Sequence, residues 1–146
     1  MSSYYNVRIE YQKEDESGRY KTIKESYLFD ALSFTEAEAK GYDVLHLFVA
    51  EDFQVISINP VSFTELVKSE ESEDSETPLF YKVKLAYDSI NDKTGKAKRV
   101  KFDVLVKALD FNNAIHTLNS QVIDKWLVDL EIEAVALTPV LELFEN

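Results

Sequence analysis

The stretch YLFDALSFTEAEAK, residues 27–40, has the pattern of a strand that leads directly into a capped helix. The same order recurs 77 positions later in VLVKALDFNNAIHT, residues 104–117. Ser33 and Asp110 stand where each helix begins, and a short side-chain oxygen there can accept a hydrogen bond from an amide of the first turn. Apolar residues then recur at helical spacing and predict one buried stripe per helix: Phe34, Ala37, Gly41, Val44, Leu45 and Phe48 in the first, and Phe111, Ala114, Leu118, Val122, Ile123 and Trp126 in the second.

A predicted β-hairpin precedes each helix. Residues 4–11 (YYNVRIEY) and 80–87 (FYKVKLAY) alternate apolar and polar side chains, which is the period of a strand with one buried face. The polar turn that follows contains Gly18 in the first copy and Gly95 in the second, where a hairpin loop needs a positive φ angle. After each helix comes an extended stretch, FQVISINPV at 53–61 and IEAVALTPV at 132–140.

The two copies predict an α+β protein built by tandem duplication of a ββαβ unit. The first repeat would span residues 1–68 and the second residues 79–146, joined by the acidic segment 69–78 as a solvated linker. A unit of about 65 residues buries little apolar surface by itself. We therefore expect a mainly antiparallel sheet with one helix per unit, in a single pseudo-twofold domain with one shared core. The final VLELFEN, residues 140–146, favours an edge strand over a partner-recruiting tail because acidic and apolar residues alternate in it.

Composition excludes several classes of protein. The chain has no cysteine, so a disulfide framework and thiolate chemistry are excluded. No apolar run approaches the ~18 residues of a membrane helix, and the N-terminus lacks the basic and apolar regions of a signal peptide. These features predict a cytoplasmic protein with no membrane partner. The excess of 27 acidic over 16 basic residues, a net charge of −11, opposes non-specific coating of nucleic acid.

Residues that could carry catalysis are few. The two histidines, His46 and His116, fall at non-equivalent places of the repeat, and no cysteine is present to complete a zinc site. The three glycines are dispersed, which excludes a glycine loop for phosphate. Glu36 and Glu38 are two positions apart in a helix and point about 200° from each other, so they cannot form a dyad. We therefore expect no enzyme, no metal and no cofactor.

The sharpest candidate site is a basic hairpin in the second repeat. It comprises Lys82, Lys84, Lys96, Lys98, Arg99 and Lys101. Basic grooves with nearby aromatic rings hold single-stranded nucleic acid by neutralising phosphates and stacking bases. Two observations favour a structural role instead. The tyrosines near the hairpins, Tyr5, Tyr11, Tyr81 and Tyr87, fall on the predicted core face, and lysines on a hairpin commonly protect a sheet edge from aggregation.

The first repeat resembles, over residues 4–45, an uncharacterised family of small proteins from Bacteroidetes and their phages that is classed as a domain of unknown function. The family pattern is Y-x-V-x-V-x-Y, a glycine turn, and then YLVDA-SFTEAEAR. The matching positions are Tyr5, Val7, Tyr11, Gly18, Tyr27, Leu28, Asp30, Ala31, Ser33, Phe34, Thr35, Glu36, Ala37 and Glu38. The resemblance implies a phage or mobile-element context, which favours roles in DNA metabolism, host takeover or anti-defence, and it implies no activity.

The sequence therefore predicts a non-catalytic binding protein. The preferred version is an accessory factor of phage or mobile-element DNA metabolism that acts in the host cytoplasm and contacts single-stranded nucleic acid through the basic hairpin. The alternative is an adaptor or inhibitor whose acidic surface engages a basic host or phage protein. In that alternative, electrostatic complementarity would set the association rate and the choice of partner.

Overall fold

The computed structural model describes residues 3–145, and within them the protein is α+β, with two helices and two four-stranded mixed sheets that are mostly antiparallel. The elements are β1 (Ser3–Glu14), β2 (Tyr20–Ala31), α1 (Phe34–Leu45), β3 (Phe53–Val61), β4 (Glu65–Lys68), β5 (Leu79–Ile90), β6 (Ala97–Ala108), α2 (Phe111–Gln121), β7 (Glu131–Leu137) and β8 (Val140–Phe144). Short 3-10 helices occupy Glu70–Ser72 and Ile123–Lys125.

Both predicted hairpins are present. β1 pairs with β2, and β5 with β6, in unbroken antiparallel registers over twelve residues of each strand. The turn glycines have φ angles of 83° at Gly18 and 72° at Gly95, so the predicted positive φ is confirmed at both. A short polar side chain supports each turn: Asp15 accepts a hydrogen bond from the amide of Arg19, and Asn91 accepts one from the amide of Lys93.

Both predicted helix caps are also confirmed. The Ser33 hydroxyl accepts a hydrogen bond from the Glu36 amide at 3.1 Å, and the Asp110 carboxylate accepts one from the Asn113 amide at 2.7 Å. The middle of each predicted stripe is buried: Ala37, Gly41 and Leu45 in α1, and Ala114 and Leu118 in α2.

The first aromatic residue of each stripe differs from the prediction. Phe34 is 51% exposed and Phe111 is 52% exposed. Each occupies the first helical position, and its ring contacts, edge to face, a tyrosine on the first strand of the preceding hairpin, which is β1 for Phe34 and β5 for Phe111. The centroids are 5.0 Å apart for Phe34 with Tyr5 and 6.2 Å apart for Phe111 with Tyr81.

The chain divides into two compact units, each with one helix and one sheet. Unit 1 comprises the described residues up to Ser62 together with those from Pro139, and unit 2 is Phe63–Thr138. The strand order is β3-β1-β2-β8 in unit 1 and β4-β6-β5-β7 in unit 2. In each sheet the outer four- or five-residue strand, β8 or β4, runs parallel to its neighbour, and the other pairs are antiparallel. The predicted edge strand in the last stretch is thus β8.

Each unit has its own cluster of buried apolar residues, formed where the helix covers one face of the sheet. In unit 1 the cluster includes Val7, Ile9 and Phe29, and in unit 2 it includes Val83 and Leu118. Compact units and sequence repeats are different divisions of a chain. The repeat limits 1–68 and 79–146, and a core shared between the repeats, therefore stay predictions.

The acidic segment 69–78 is partly packed. Ser69 and Ser72 are buried in unit 2, and the Ser72 hydroxyl donates to the backbone carbonyls of Ser69 at 2.9 Å and Lys107 at 3.2 Å. The acidic side chains Glu71, Glu73 and Asp74 remain exposed. The beginning of the segment thus continues β4 along the edge of the unit 2 sheet.

Candidate functional site

The basic hairpin lies at β5 and β6 of unit 2, and its side chains divide between two faces. Lys82, Lys84, Arg99 and Lys101 alternate with core residues and project from the sheet face opposite the core. Lys98 follows the opposite alternation on β6, and Lys96 lies in the turn. The structure therefore brings four of the six predicted site residues together on one face.

Several of these cations already have carboxylate partners. Arg99 contacts Asp88 at 3.2 Å, Glu131 at 2.7 Å and Glu133 at 3.3 Å. Hydrogen bonds to Glu131 and Asp88 hold the pKa of the Arg99 guanidinium above its ordinary value. Lys101 contacts Glu133 at 3.4 Å. Because a phosphate would have to displace these contacts, the net positive charge that Arg99 and Lys101 offer to a ligand is small.

The lysines of β5 line a cavity of about 240 Å³. Ala134 and Ala136 of the neighbouring strand β7 form one wall, and Asp103 approaches Lys82 at 3.7 Å. Within residues 3–145, Lys84, Lys96 and Lys98 form no ion pair. We call this site, comprising Lys82, Lys84, Asp103, Ala134 and Ala136, the lysine cavity.

The tyrosines near the two hairpins provide no stacking surface beside the lysine cavity. Tyr5 and Tyr81 are buried, and Tyr11 and Tyr87 are partly buried against the two core clusters. The prediction that these four rings face the core is therefore confirmed. The lysine cavity has phosphate-binding chemistry without the aromatic platform that single-strand binding commonly uses.

A larger cavity, of about 750 Å³, lies in unit 1 between the C-terminal end of α1 and the start of β3. We call it the acidic cavity; its polar and aromatic lining is Tyr42, Asp43, His46, Glu51, Asp52 and Phe53. The rings of Tyr42 and Phe53 stack with centroids 5.5 Å apart and an interplanar angle of 14°. The Tyr42 hydroxyl accepts a hydrogen bond from the Val55 amide at 3.3 Å, which fixes that ring against β3.

The electrostatics of the acidic cavity favour a cation. Asp43, Glu51 and Asp52 line it, and none of the lining residues is a lysine or arginine. Over the described part of the chain these three carboxylates form no ion pair. Burial first, then Glu25, and then the charge of Glu51 from the cavity lining raise the pKa of Tyr11 on β1 to about 12.

Sequence reasoning missed the acidic cavity. His46, which the sequence analysis gave no catalytic or metal-binding role, lines the cavity wall with Tyr42 and Asp43. The available signal was a difference between the two copies. At the 77-residue offset, the positions of Tyr42 and Asp43 carry Asn119 and Ser120 in the second copy, so this aromatic and acidic pair is specific to the first.

Unit 2 carries an aromatic and apolar cavity of about 430 Å³, which is lined by Tyr87, Lys125, Trp126, Leu127 and Val128. Trp126 stacks on Phe102 with centroids 5.2 Å apart and lies 5.6 Å from Tyr87. Trp126 was expected in the buried stripe of α2, and it is 40% exposed because it follows the second 3-10 helix. Leu127 beside it is fully exposed.

Among the residues that the structure describes, no group of three or more histidine, aspartate and glutamate side chains could hold a metal ion. Within the same residues, no helix is both long enough and apolar enough to cross a membrane.

The fold and these sites define a small α+β protein whose surface carries an acidic cavity and a basic hairpin. The family model of DUF4494, a domain of unknown function, matches residues 3–146, so the chain belongs to that family. The expectation that the chain belongs to an uncharacterised domain-of-unknown-function family is thereby confirmed. A search of curated proteins finds no match to the chain.

Proposed function

We propose that this protein is a non-catalytic binding protein that recognises a basic segment of another protein. The observation that carries the proposal is the acidic cavity, whose lining combines three carboxylates without ion-pair partners in residues 3–145 with a stacked aromatic pair. The alternative expected from the sequence, an acidic adaptor or inhibitor, thus becomes the first candidate.

A lysine or arginine side chain matches this cavity in charge. The carboxylates of Asp43, Glu51 and Asp52 would accept hydrogen bonds from an ammonium or guanidinium group. A cation against the face of Tyr42 or Phe53 would gain about 0.5–2 kcal/mol more, depending on how far it is desolvated. The net charge of −11 would accelerate the encounter with a basic partner at low ionic strength.

The test uses a fluorescein-labelled peptide in which lysine and arginine alternate with alanine, titrated with the protein and followed by anisotropy. We expect the triple variant Asp43→Asn, Glu51→Gln, Asp52→Asn to bind at least about tenfold more weakly, a loss of about 1.4 kcal/mol. The matched control changes three exposed acids outside the cavity: Glu73→Gln, Asp74→Asn and Glu76→Gln. Equal losses in both variants would show that overall charge, and not the cavity, attracts the peptide.

The second candidate function is contact with single-stranded nucleic acid, which the lysine cavity favours. Lys84, Lys96 and Lys98 form no ion pair within the described residues, and Lys84 lines that cavity. Each phosphate that such a cation neutralises adds to the dependence of binding on salt. This second proposal keeps all six residues of the basic hairpin that the sequence predicts: Lys82, Lys84, Lys96, Lys98, Arg99 and Lys101.

A labelled single-stranded oligonucleotide, titrated at low and at near-physiological salt, tests this second candidate. Binding should weaken steeply with salt. In the variant Lys84→Gln, Lys96→Gln, Lys98→Gln, the slope of the logarithm of the binding constant against the logarithm of the salt concentration should be smaller in magnitude by about two. These three side chains are exposed and the changes leave the ion pairs of Arg99 intact, so we expect the fold to be preserved. No binding at low salt would refute the candidate and leave the peptide-binding function.

We also propose that the chain arose by duplication of a ββαβ unit in a phage or other mobile element, and that it acts in the cytoplasm. The duplication is supported by the same hairpin, turn glycine and helix cap in residues 1–68 and 79–146. It is supported further by the strand orders, which correspond strand for strand when one is read in reverse. The proposed origin rests on the sequence resemblance alone.

A further inference from the structure

One outer strand of each sheet, β8 in unit 1 and β4 in unit 2, runs parallel to its neighbour. In unit 1, β8 runs parallel to β2 with Ser26 opposite Val140 and Phe29 opposite Phe144. In unit 2, β4 runs parallel to β6 with Glu65 opposite Val104. The strand that follows β3 therefore belongs to the sheet of unit 2, and the strand that follows β7 belongs to the sheet of unit 1.

The short connections force this exchange. In unit 1, β3 and β8 lie at opposite edges of the sheet and run in the same direction, because both are antiparallel to β1. A chain that continues from one strand to another of the same direction in the same sheet needs a crossover of a dozen or more residues. Only residues 62–64 separate β3 from β4, and only residues 138–139 separate β7 from β8. Therefore β4 cannot join the sheet that contains β3, and β8 cannot join the sheet that contains β7.

We propose that a second copy of this chain can supply β8, giving a strand-exchanged dimer in which the β8 of each copy completes unit 1 of the other. The ladder with β2 and the stacking of Phe144 on Phe29, with centroids 4.9 Å apart, involve residues of unit 1 only. These interactions are the same whether β8 belongs to the same copy or to another. Exchange of an identical element changes only the path of the connection, so it is a low-cost route to a dimer.

What favours the monomer is the short connection, which holds β8 at an effective concentration in the millimolar range. When the protein refolds at a total concentration of about 1 mM, about one half of the chains should therefore be in the dimer. At about 10 µM the fraction of chains in the dimer should be only about 2%. The unmodified protein is incubated in the denaturant at its unfolding midpoint at each concentration, returned to buffer, and separated by size exclusion with light scattering.

The exchanged strand is identified by a disulfide, for which a chain without cysteine is a clean background. The variant Ser26→Cys, Val140→Cys places one cysteine on each strand of the β2–β8 ladder at paired positions. Its dimer should run as two covalently linked chains on a non-reducing gel, and its monomer as one chain. In the control Lys13→Cys, Lys21→Cys, the cysteines pair within the β1–β2 hairpin, so both forms should run as single chains.

The outcomes separate cleanly. A dimer that increases with concentration and is linked by the cysteine pair in β2 and β8, and not by the hairpin pair, supports the exchange. Absence of a dimer of the unmodified protein at about 1 mM overturns the proposal, because the effective concentration of β8 within its own chain would then be far above the millimolar range. A dimer that the pair in β2 and β8 does not link also overturns it, since the copies would then associate by their surfaces.

Discussion

Replacement of Phe144 by alanine tests how strongly β8 is held in the sheet of unit 1. The ring stacks on Phe29 at 4.9 Å and lies 5.4 Å from Phe48 and 6.2 Å from Tyr27. Loss of a fully buried phenylalanine costs about 3–5 kcal/mol, and each aromatic contact contributes about 0.5–1.5 kcal/mol beyond its buried area. Because Phe144 is only partly buried, we expect the free energy of unfolding to fall by about 2–3 kcal/mol.

Urea denaturation followed by circular dichroism measures this loss. An unchanged m-value would show that the variant unfolds with the same exposure of surface as the unmodified protein. The matched control is Leu141→Ala on the same strand. Leu141 is exposed and has no partner residue in the ladder, because the register shifts at that position. It should cost less than about 0.5 kcal/mol. Equal losses in the two variants would refute the assignment of Phe144 as the anchor of β8.

Three further changes have defined outcomes. Asp110→Ala should cost about 1 kcal/mol in urea denaturation because the amide at the start of α2 loses its acceptor, whereas Asp110→Asn should keep most of the stability. Gly41→Leu should cost at least about 1–3 kcal/mol in the same assay, since even a Cβ there would lie 3.2 Å from Val7, and Gly41→Ala should cost less. The third concerns alkaline pH. Burial and Glu25 raise the pKa of Tyr11 from 10.0 to about 12, so its contribution to stability is complete below pH 10 and is lost as pH rises through about 12. Glu25→Gln should lower that pKa in a titration of tyrosinate absorbance.

The local elements could be predicted from the sequence because each depends on neighbouring residues. The alternation in residues 4–11 and the glycine at position 18 specify a hairpin without reference to the rest of the chain. The same is true of Ser33 and Asp110, whose oxygens bond to amides three residues ahead. Phe34 and Phe111 mark the limit of the helical pattern, because each stands at the first helical position and is half exposed, whereas Ala37 and Ala114 three residues later are buried.

The destinations of β4 and β8 could not be predicted in this way. Alternation around Glu142 indicates a strand, and it does not indicate which sheet accepts it. The choice depends on the direction of the preceding strand and the length of the connection, which are β7 and residues 138–139 for β8, and β3 and residues 62–64 for β4. Both become informative only when the sheet order is known. The ion-pair partners of Arg99 were missed for the same reason. Glu131 and Glu133 lie on β7, 32 and 34 positions further along the chain, and only the sheet order brings them to Arg99.

The acidic cavity was hidden because it forms between a helix end and a strand start. Asp43 belongs to the last turns of α1, and Asp52 and Phe53 follow a loop. These residues share no helical or strand periodicity in the sequence, and each is of a type that is common at its place in a helix or loop. Only the comparison of the two copies singles out Tyr42 and Asp43, because the second copy has small polar residues there.

The origin of the fourth strand of unit 1 has a consequence for the synthesis of the chain. Phe29 and Phe144 are paired although 115 positions separate them. At about 5–20 residues per second, β8 leaves the ribosome roughly 6–23 s after β2. During that time the edge of β2 offers unpaired backbone groups to any other nascent strand. Unit 2 has no such delay, because β4 is made before β6. We therefore expect unit 1 to be the half of this protein whose folding benefits more from chaperones or from slow, cool expression.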